Sequence, residues 1–360
     1  MRSRIKLDLT ELMRLPGLSG HEDRVRRAIA AKLSAAGVDS RTDRLGNLIA
    51  SFAGTGPAVM LFTHMDQLGF VVRKIDADGL SRIERLGGVP ERALASQAVT
   101  LATARGDIPG IIANKSHHAT SPDEKYTVLK TPDLYVDTGH RTKAEAEEAG
   151  IRIGTPVTYH AQVLDLAGDR IAGTAIDDRA GCAVLIEIAR ALATRRRGPP
   201  VHLVFSVQEE FNLRGAVVAA QALRPDIAIQ LDLMLATDTP DMAERGEMRL
   251  GGGPGMSLYS FHGRGTLNGV IPHPALVQLV ETTAAQEGID LQRSAQTGIL
   301  TDLSYVQLVG EGVASLDLGF AMRYSHSSLE LCDLNDLEQL TQLILAALPR
   351  ITPEFDLTRR

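Results

Sequence analysis

The chain has 360 residues, 44% of them hydrophobic and 23% charged, with a formal net charge of -6 and an isoelectric point near 5.9. That is ample material for one large domain or two, and the acidic balance argues against nucleic acid as a partner. The two cysteines, Cys182 and Cys332, indicate no disulfide framework and weakly favour a reducing compartment. No apolar run reaches the roughly 18 residues of a membrane span, and the opening MRSRIKLDLTELMRL lacks the apolar stretch of a signal peptide. The expected setting is cytoplasmic, with no membrane partner.

Ser19-Gly20-His21-Glu22 fits a capping box with Ser19 as N-cap. It precedes a helix with Val25, Ile29 and Leu33 in step, ended by Gly37. Leu45 to Phe52 and Ala58 to Thr63 read as strands, the second running into His64-Met65-Asp66. From Gly69 to about Gln162 short strand-like pieces (GFVVRKI, SRIERL, AVTLAT, GIIAN, LYVDTG, PVTYH) alternate with Gly, Pro and Asp turns, and only Thr142 to Ala149 reads as helix. That texture predicts a small barrel or sandwich, inserted into an α/β domain that resumes near Val163. Ile176 closes an extended piece, and Arg179 onward is helical, with Val184, Ile188 and Leu192 on one face. The Arg195-Arg196-Arg197 run behind it suits a solvated helix C-terminus. Val201 to Val207 is a buried strand, and a helix is expected from Asn212. Ile227 to Leu233 and Gly312 to Leu318 are further strands, and Pro274 to Gln286 a helix. Arg323 to Ser328 is a polar loop around His326, and Leu334 to Leu348 a closing amphipathic helix. Strand–helix alternation of this kind implies a doubly wound α/β sheet.

Glu209 and Glu210 stand at the tip of the Val201 strand, where an open α/β sheet places its ligands. Neighbouring strand residues point to opposite sides, so one carboxylate can hold a metal while the other handles a proton. The plainer reading is a strand end with solvated charges. His64, Asp66, Asp177, Asp178, Asp232 and His326 also fall at the ends of separate elements. Each alone is weak, since a lone histidine or strand-end aspartate is usually structural. Carboxylates crowded into one cleft are costly unless cations neutralise them, and mixed carboxylate and imidazole donors suit Zn²⁺, Co²⁺ or Mn²⁺. Three carboxylates and two histidines can hold two metals if one carboxylate bridges, and a paired site activates water and polarises a carbonyl.

The stretches FTHMDQLGFVV, AIDDRAGCAVLIE, FSVQEEFNLRGA, PDIAIQLDLMLATDTP and RYSHSSLE occur in that order, with LPGLSGHEDRVR and DRLGNLIA before them and LYVDTGHRTKAEAEEAGIRIGTPV in the insert. In this the chain resembles the tetrahedral (TET), glutamyl and deblocking aminopeptidases, dinuclear metallo-enzymes some of which carry the name endoglucanase. The resemblance implies a zinc-exopeptidase-like mixed α/β sheet over 1–68 and 163–360, with an oligomerisation β-barrel inserted at 69–162. It implies two divalent ions, zinc foremost and cobalt or manganese as alternatives. Asp177 would bridge them, His64 and Asp232 would complete one, and Glu210 and His326 the other. Glu209 would be the general base acting on a metal-bridged water, and Asp66 the carboxylate that orients His64. His118 falls where the family's insert carries a histidine near the site; a surface histidine is the alternative. The implied substrate is the N-terminal residue of a peptide, and the implied assembly a homo-oligomer, a hollow twelve-subunit tetrahedron. Gln67, Phe211-Asn212, Gly251-Gly252-Gly253-Pro254 and Ser328 depart from the common pattern and bear on the substrate pocket. Two other classes remain: a glycoside hydrolase using two carboxylates without metal, and a non-catalytic protein that kept the fold.

Overall fold

The computed structural model describes residues 1–195, 197–263, 265–266 and 268–359. Two helices, α1 (Arg2–Met13) and α2 (Asp23–Ala35), precede strands β1 (Ser40–Thr42), β2 (Leu48–Phe52) and β3 (Val59–His64). Then come β4 (Gly69–Ile75), β5 (Ser81–Leu86), β6 (Ala98–Thr103), β7 (Gly106–Ile112), β8 (Tyr135–Asp137), α3 (Lys143–Glu148) and β9 (Pro156–Tyr159). The chain continues through β10 (Val163–Asp165), β11 (Arg170–Gly173), α4 (Ile176–Ala193), β12 (Val201–Ser206), α5 (Gly215–Leu223) and β13 (Ile227–Leu235). It ends with β14 (Gly255–Phe261), β15 (Gly269–Val270), α6 (Pro274–Glu287), β16 (Gln292–Thr297), α7 (Leu303–Val306), β17 (Ala314–Arg323), β18 (Glu330–Asp333) and α8 (Leu334–Ala347).

The large sheet runs β1-β2-β12-β3-β13-β17-β18-β11-β10, with β14 to β16 off this path. Its centre is parallel: β12 pairs with β3, β3 with β13, and β13 with β17, while the flanks are antiparallel. Both faces of that centre are covered, which is why its strands are largely apolar. Along β3, Val59 and Leu61 join the core shared with α1, α2, α4 and α8, whereas Met60 and Phe62 join the opposite core with Ala216, Ala219 and Leu303. A period-two strand between two helical layers is the doubly wound arrangement. The mixed α/β class read from the sequence is therefore the one found.

The strands from β4 to β9 close a separate barrel in the order β4-β5-β8-β7-β6-β9 around Phe70, Ile83, Val99, Leu101 and Val157. Each of the six strand-like pieces read in this stretch supplies one of its strands. Thr142 caps α3 by accepting from the Glu145 amide.

Several local expectations need correction. Ser19 does not cap α2: the N-cap is Glu22, with no side-chain cap bond, and the Ser19 hydroxyl donates instead to Asp66. The buried aspartate is the stronger acceptor, so the serine serves the site rather than the helix. Gly37 does follow the helix end, with φ +72°, and the Val38 and Gly37 amides return to the Leu33 and Ser34 carbonyls. α5 begins at Gly215 rather than Asn212, because Gln208, Asn212 and Leu213 all have positive φ and make a tight loop. Asn47 closes that loop, accepting from the Val207 amide and donating to the Gly215 carbonyl. The strand expected at Gly312 to Leu318 is shifted and longer, Ala314–Arg323. α4 ends at Ala193, and Arg195 donates to the Pro199 carbonyl; Arg196 of the arginine run lies outside the described residues. Among the described residues no helix is long and apolar enough to cross a membrane.

Candidate metal centre

The parallel strands end together, and a cleft of about 710 Å³ opens beyond their C-terminal ends. This is where an αβ sheet collects ligands. Its lining includes His64 from the end of β3, Asp177 from the start of α4, Glu209 and Glu210 from the loop after β12, Asp232 from β13 and His326 from the loop after β17. Asp232 sits tightly against the neighbouring strand: a Cβ on Gly319 would lie 1.8 Å from the Asp232 carbonyl oxygen, so only glycine fits there.

Asp177 stands between the two histidines. His64 Nε2 is 3.0 Å from Asp177 Oδ1, and His326 Nε2 is 3.5 Å from Asp177 Oδ2 and 3.6 Å from Glu210 Oε1. Two groups result, His64–Asp177–Asp232 and Asp177–Glu210–His326, each with donor atoms within 4.8 Å of one another. Both imidazoles are aimed by the other ring nitrogen. His64 Nδ1 lies 3.1 Å from the Asp66 carbonyl, and His326 Nδ1 lies 3.0 Å from the Gly88 carbonyl. A carbonyl only accepts, so each Nδ1 donates and each Nε2 turns to the cluster, the usual arrangement behind a metal-ligating histidine.

Glu209 and Glu210 were expected to alternate on a strand. They lie instead in the loop past Ser206, and a single carboxylate fixes both: Asp66 Oδ1 accepts from the Glu209 amide and Asp66 Oδ2 from the Glu210 amide, each at 3.0 Å. Asp66 Oδ1 is also 3.5 Å from His64 Nδ1. Asp178 turns away from the cleft to accept from the Thr63 hydroxyl, behind a cis Asp177–Asp178 peptide. His118 is exposed on a 3₁₀ turn of the barrel and does not line the cleft.

The electrostatics are those of an acidic basin. Burial pushes the Glu210 and Asp232 carboxyls up to about 7, and Glu209 well above the ordinary range. Burial opposes protonation of His64, yet its hydrogen bonds to Asp177 and Asp66 raise its pKa well above 6.5. The Glu210 charge raises His326 to about 9. Carboxylates that resist ionisation beside imidazoles that attract protons describe a site in need of positive charge. Oxygen and imidazole donors in two groups sharing one carboxylate fit a pair of divalent cations.

Four supporting residues escaped the sequence reading. Glu330 accepts from the Asp177 amide at 3.0 Å and from the His326 amide at 2.8 Å, so one buried carboxylate holds both groups. Glu22 accepts from the Gln208 amide, and burial raises it to about 7. Asp302 accepts from Ser206, and Asp317 from Thr301. Glu22 and Glu330 lie inside the quoted SGHE and SHSSLE stretches, so position was the available signal; Asp302 and Asp317 carried none.

The family model for the M42 glutamyl aminopeptidases matches residues 46–343, which takes in every residue of the two donor groups. A lysyl aminopeptidase of Pyrococcus furiosus is 32% identical over 352 residues, 96% of this chain and 97% of that protein. The structure of a TET aminopeptidase from a Thaumarchaeota archaeon of marine sediment superimposes with a TM-score of 0.92 at 29% identity, covering 98% of each chain. The Pyrococcus horikoshii TET1 peptidase, which can assemble into a tetrahedron or a large octahedral shell, superimposes with a TM-score of 0.87 at 28% identity, over 96% of this chain and 99% of that one. A match of this extent to the family model, with near end-to-end agreement in sequence and in backbone, leaves one assignment: the chain belongs to the M42 family of aminopeptidases.

Proposed function

We propose that this protein is a metal-dependent aminopeptidase that releases N-terminal residues from peptides in the cytoplasm. One observation carries the reading: two donor groups share Asp177, while Glu209 lines the same cleft and belongs to neither. His64, Asp177 and Asp232 would hold one divalent ion and Asp177, Glu210 and His326 the other, with zinc the best match to the donors. Ions bound there supply polarisation of the scissile carbonyl and activation of water. Glu209 is the general base: it takes the proton from the attacking water and returns it to the departing amine nitrogen. Burial raises its carboxyl well above the ordinary range, so that once ionised it is a stronger proton acceptor than a solvated glutamate. Asp66 orients His64 and fixes the backbone of both glutamates. Aminoacyl chromogenic substrates, assayed with Zn²⁺, Co²⁺ and Mn²⁺ alongside elemental analysis, test the reading. The expected result is metal-dependent release of the chromophore and two ions per chain. Metal-free protein that cannot be reconstituted, or sugar release that survives a chelator, defeats it in favour of a non-catalytic protein or a glycoside hydrolase.

We read 1–68 and 163–360 as the catalytic unit and 69–162 as the inserted module through which copies meet. The barrel exposes Ile111, Tyr126, Val128 and Ile153, with Tyr126 92% accessible and Ile153 75%, and exposed apolar groups of that size mark contact surfaces. Soluble oligomers are mostly closed homo-oligomers, and the tetrahedral dodecamer proposed here corresponds to one of the assemblies of the TET1 relative. Its inner chamber would spare folded proteins. Light scattering that reports only monomer over a wide concentration range removes this part of the proposal.

A further inference from the structure

Beside the two donor groups lies a further small pocket of about 10 Å³, roughly the room of one water. It touches Asp177 and Glu210 on one side and Tyr159, at the end of β9, on the other. The Tyr159 hydroxyl is buried, the residue being 3% exposed, and it has no hydrogen-bond partner among the described residues. A buried phenol normally finds one, because a buried donor left unbonded is costly. Glu330 also faces this cavity. Its two oxygens each accept one backbone amide, from Asp177 and His326, and a carboxylate has about four acceptor positions. Burial, with the Glu330 charge adding to it, pushes the Tyr159 phenol well above its usual range, so it remains a donor at any working pH.

We infer that one ordered water fills this cavity, takes the Tyr159 hydroxyl proton in a hydrogen bond, and donates in turn to Glu330. Tyr159 is then a positioning residue of the metal centre, although it belongs to the barrel. It acts through Glu330, the carboxylate that holds the Asp177 and His326 backbones in place. Its ring is already fixed by an edge-on contact with Phe70, the centroids 6.3 Å apart, so the hydroxyl is free to serve this purpose. The chemistry follows the general rule that groups behind the ligands set affinity and geometry, typically by 10–100-fold. The inference rests on the metallopeptidase reading above.

Tyr159→Phe isolates the hydroxyl, because phenylalanine keeps the ring and its contact with Phe70. The full chain, in its native assembly and stripped of metal, is titrated with Zn²⁺, and its thermal unfolding and steady-state kinetics are followed in parallel. The expected result is Zn²⁺ affinity lower by about 10-fold at the weaker of the two sites, a lower kcat at unchanged KM, and a little-changed unfolding temperature. A high-resolution crystal structure should show the water in the wild type and its loss or displacement in the variant. Wild-type protein that binds Zn²⁺, with the variant binding it equally tightly, overturns this inference alone. A variant that only unfolds at lower temperature, with affinity and kcat unchanged, overturns it as well, since Tyr159 would then be a core residue only. Wild-type protein that takes up no Zn²⁺ overturns the metallopeptidase reading and this inference together.

Discussion

The two halves of the candidate metal centre use similar donors on different scaffolds. The His64 half is strand-borne: His64 ends β3, Asp232 lies within β13, and their side chains sit in a parallel sheet packed on both faces. The His64 side chain is 1% exposed. The His326 half is loop-borne: Glu210 follows the positive-φ residue Gln208, His326 itself has φ +64°, and its side chain is 37% exposed. A sheet fixes donors through its register, at no conformational strain. A loop has to be fixed by other groups, here Asp66 for Glu210 and Glu330 with Gly88 for His326. Rigidity in the first half is inherited from the fold, while in the second it depends on a few buried hydrogen bonds.

The largest expected effect tests which glutamate does what. Glu209→Gln should retain both metals and bind peptide while kcat falls by about 10²–10⁴, the usual scale for a lost general base. Glu210→Gln should instead weaken metal binding in the loop-borne half, because a neutral amide is a poor substitute for a carboxylate ligand. Metal content and turnover measured side by side decide it: full activity in Glu209→Gln, or metal loss there, means that the two roles are reversed.

A pH experiment reaches beneath the strand-borne half. Asp317, on β17, is buried against the charge of Asp232 and rises to about 7, whereas in the unfolded chain it releases its proton near ~3.9. The stability this contributes is complete below about pH 4 and is lost as pH rises through 7. Asn resembles the protonated form. In chelator-treated protein, therefore, denaturant unfolding should show the wild type losing stability relative to Asp317→Asn between pH 4 and 7, by on the order of a few kcal/mol. Parallel curves for the two proteins would remove Asp317 from the account.

The histidines give the direct contrast. His64→Ala should lose metal and also destabilise the metal-free fold, by about 1–3 kcal/mol, since a buried carbonyl and carboxylate are left without their partner. His326→Ala should lose one ion and most activity yet leave the unfolding temperature of the metal-free protein nearly unchanged. Equal destabilisation by the two substitutions would erase the distinction between the halves.

That distinction also governs what could be read in advance. The strand-borne donors announce themselves, because apolar β-branched runs ending in His64, or enclosing Asp232, have a clear period and a clear end. The barrel was legible for the same reason, through its short strands and frequent turns. The loop-borne donors, Glu210 and His326, are legible as strand-tip charges and by resemblance, but the alternation of a strand does not set their directions, because Glu209 and Glu210 have already left the strand, which ends at Ser206. Ser19 shows the limit of local rules. Its sequence setting is a good capping box, and only the approach of Asp66, 47 residues away in the chain, redirects its hydroxyl. Glu330 had position within the SHSSLE stretch as its only signal, because its partners are two backbone amides, and backbone partners carry no signature in the side-chain code.

The contact between His326 and the Gly88 carbonyl has a practical side. A Cβ on Gly88 would come within 2.9 Å of His326 Nδ1, so the barrel's edge and the imidazole are fitted to each other. An engineer seeking a small, single-chain catalyst would be tempted to excise residues 69–162 and splice the flanking segments. That deletion would take away the Gly88 carbonyl to which His326 Nδ1 donates, together with Tyr159, and under the metallopeptidase reading a shortened chain of this kind would be inert for reasons unrelated to its oligomeric state. If copies meet through the barrel as proposed above, a monomer is better sought by recharging the outer barrel loops around Tyr126, which leaves the inner edge of the barrel in place.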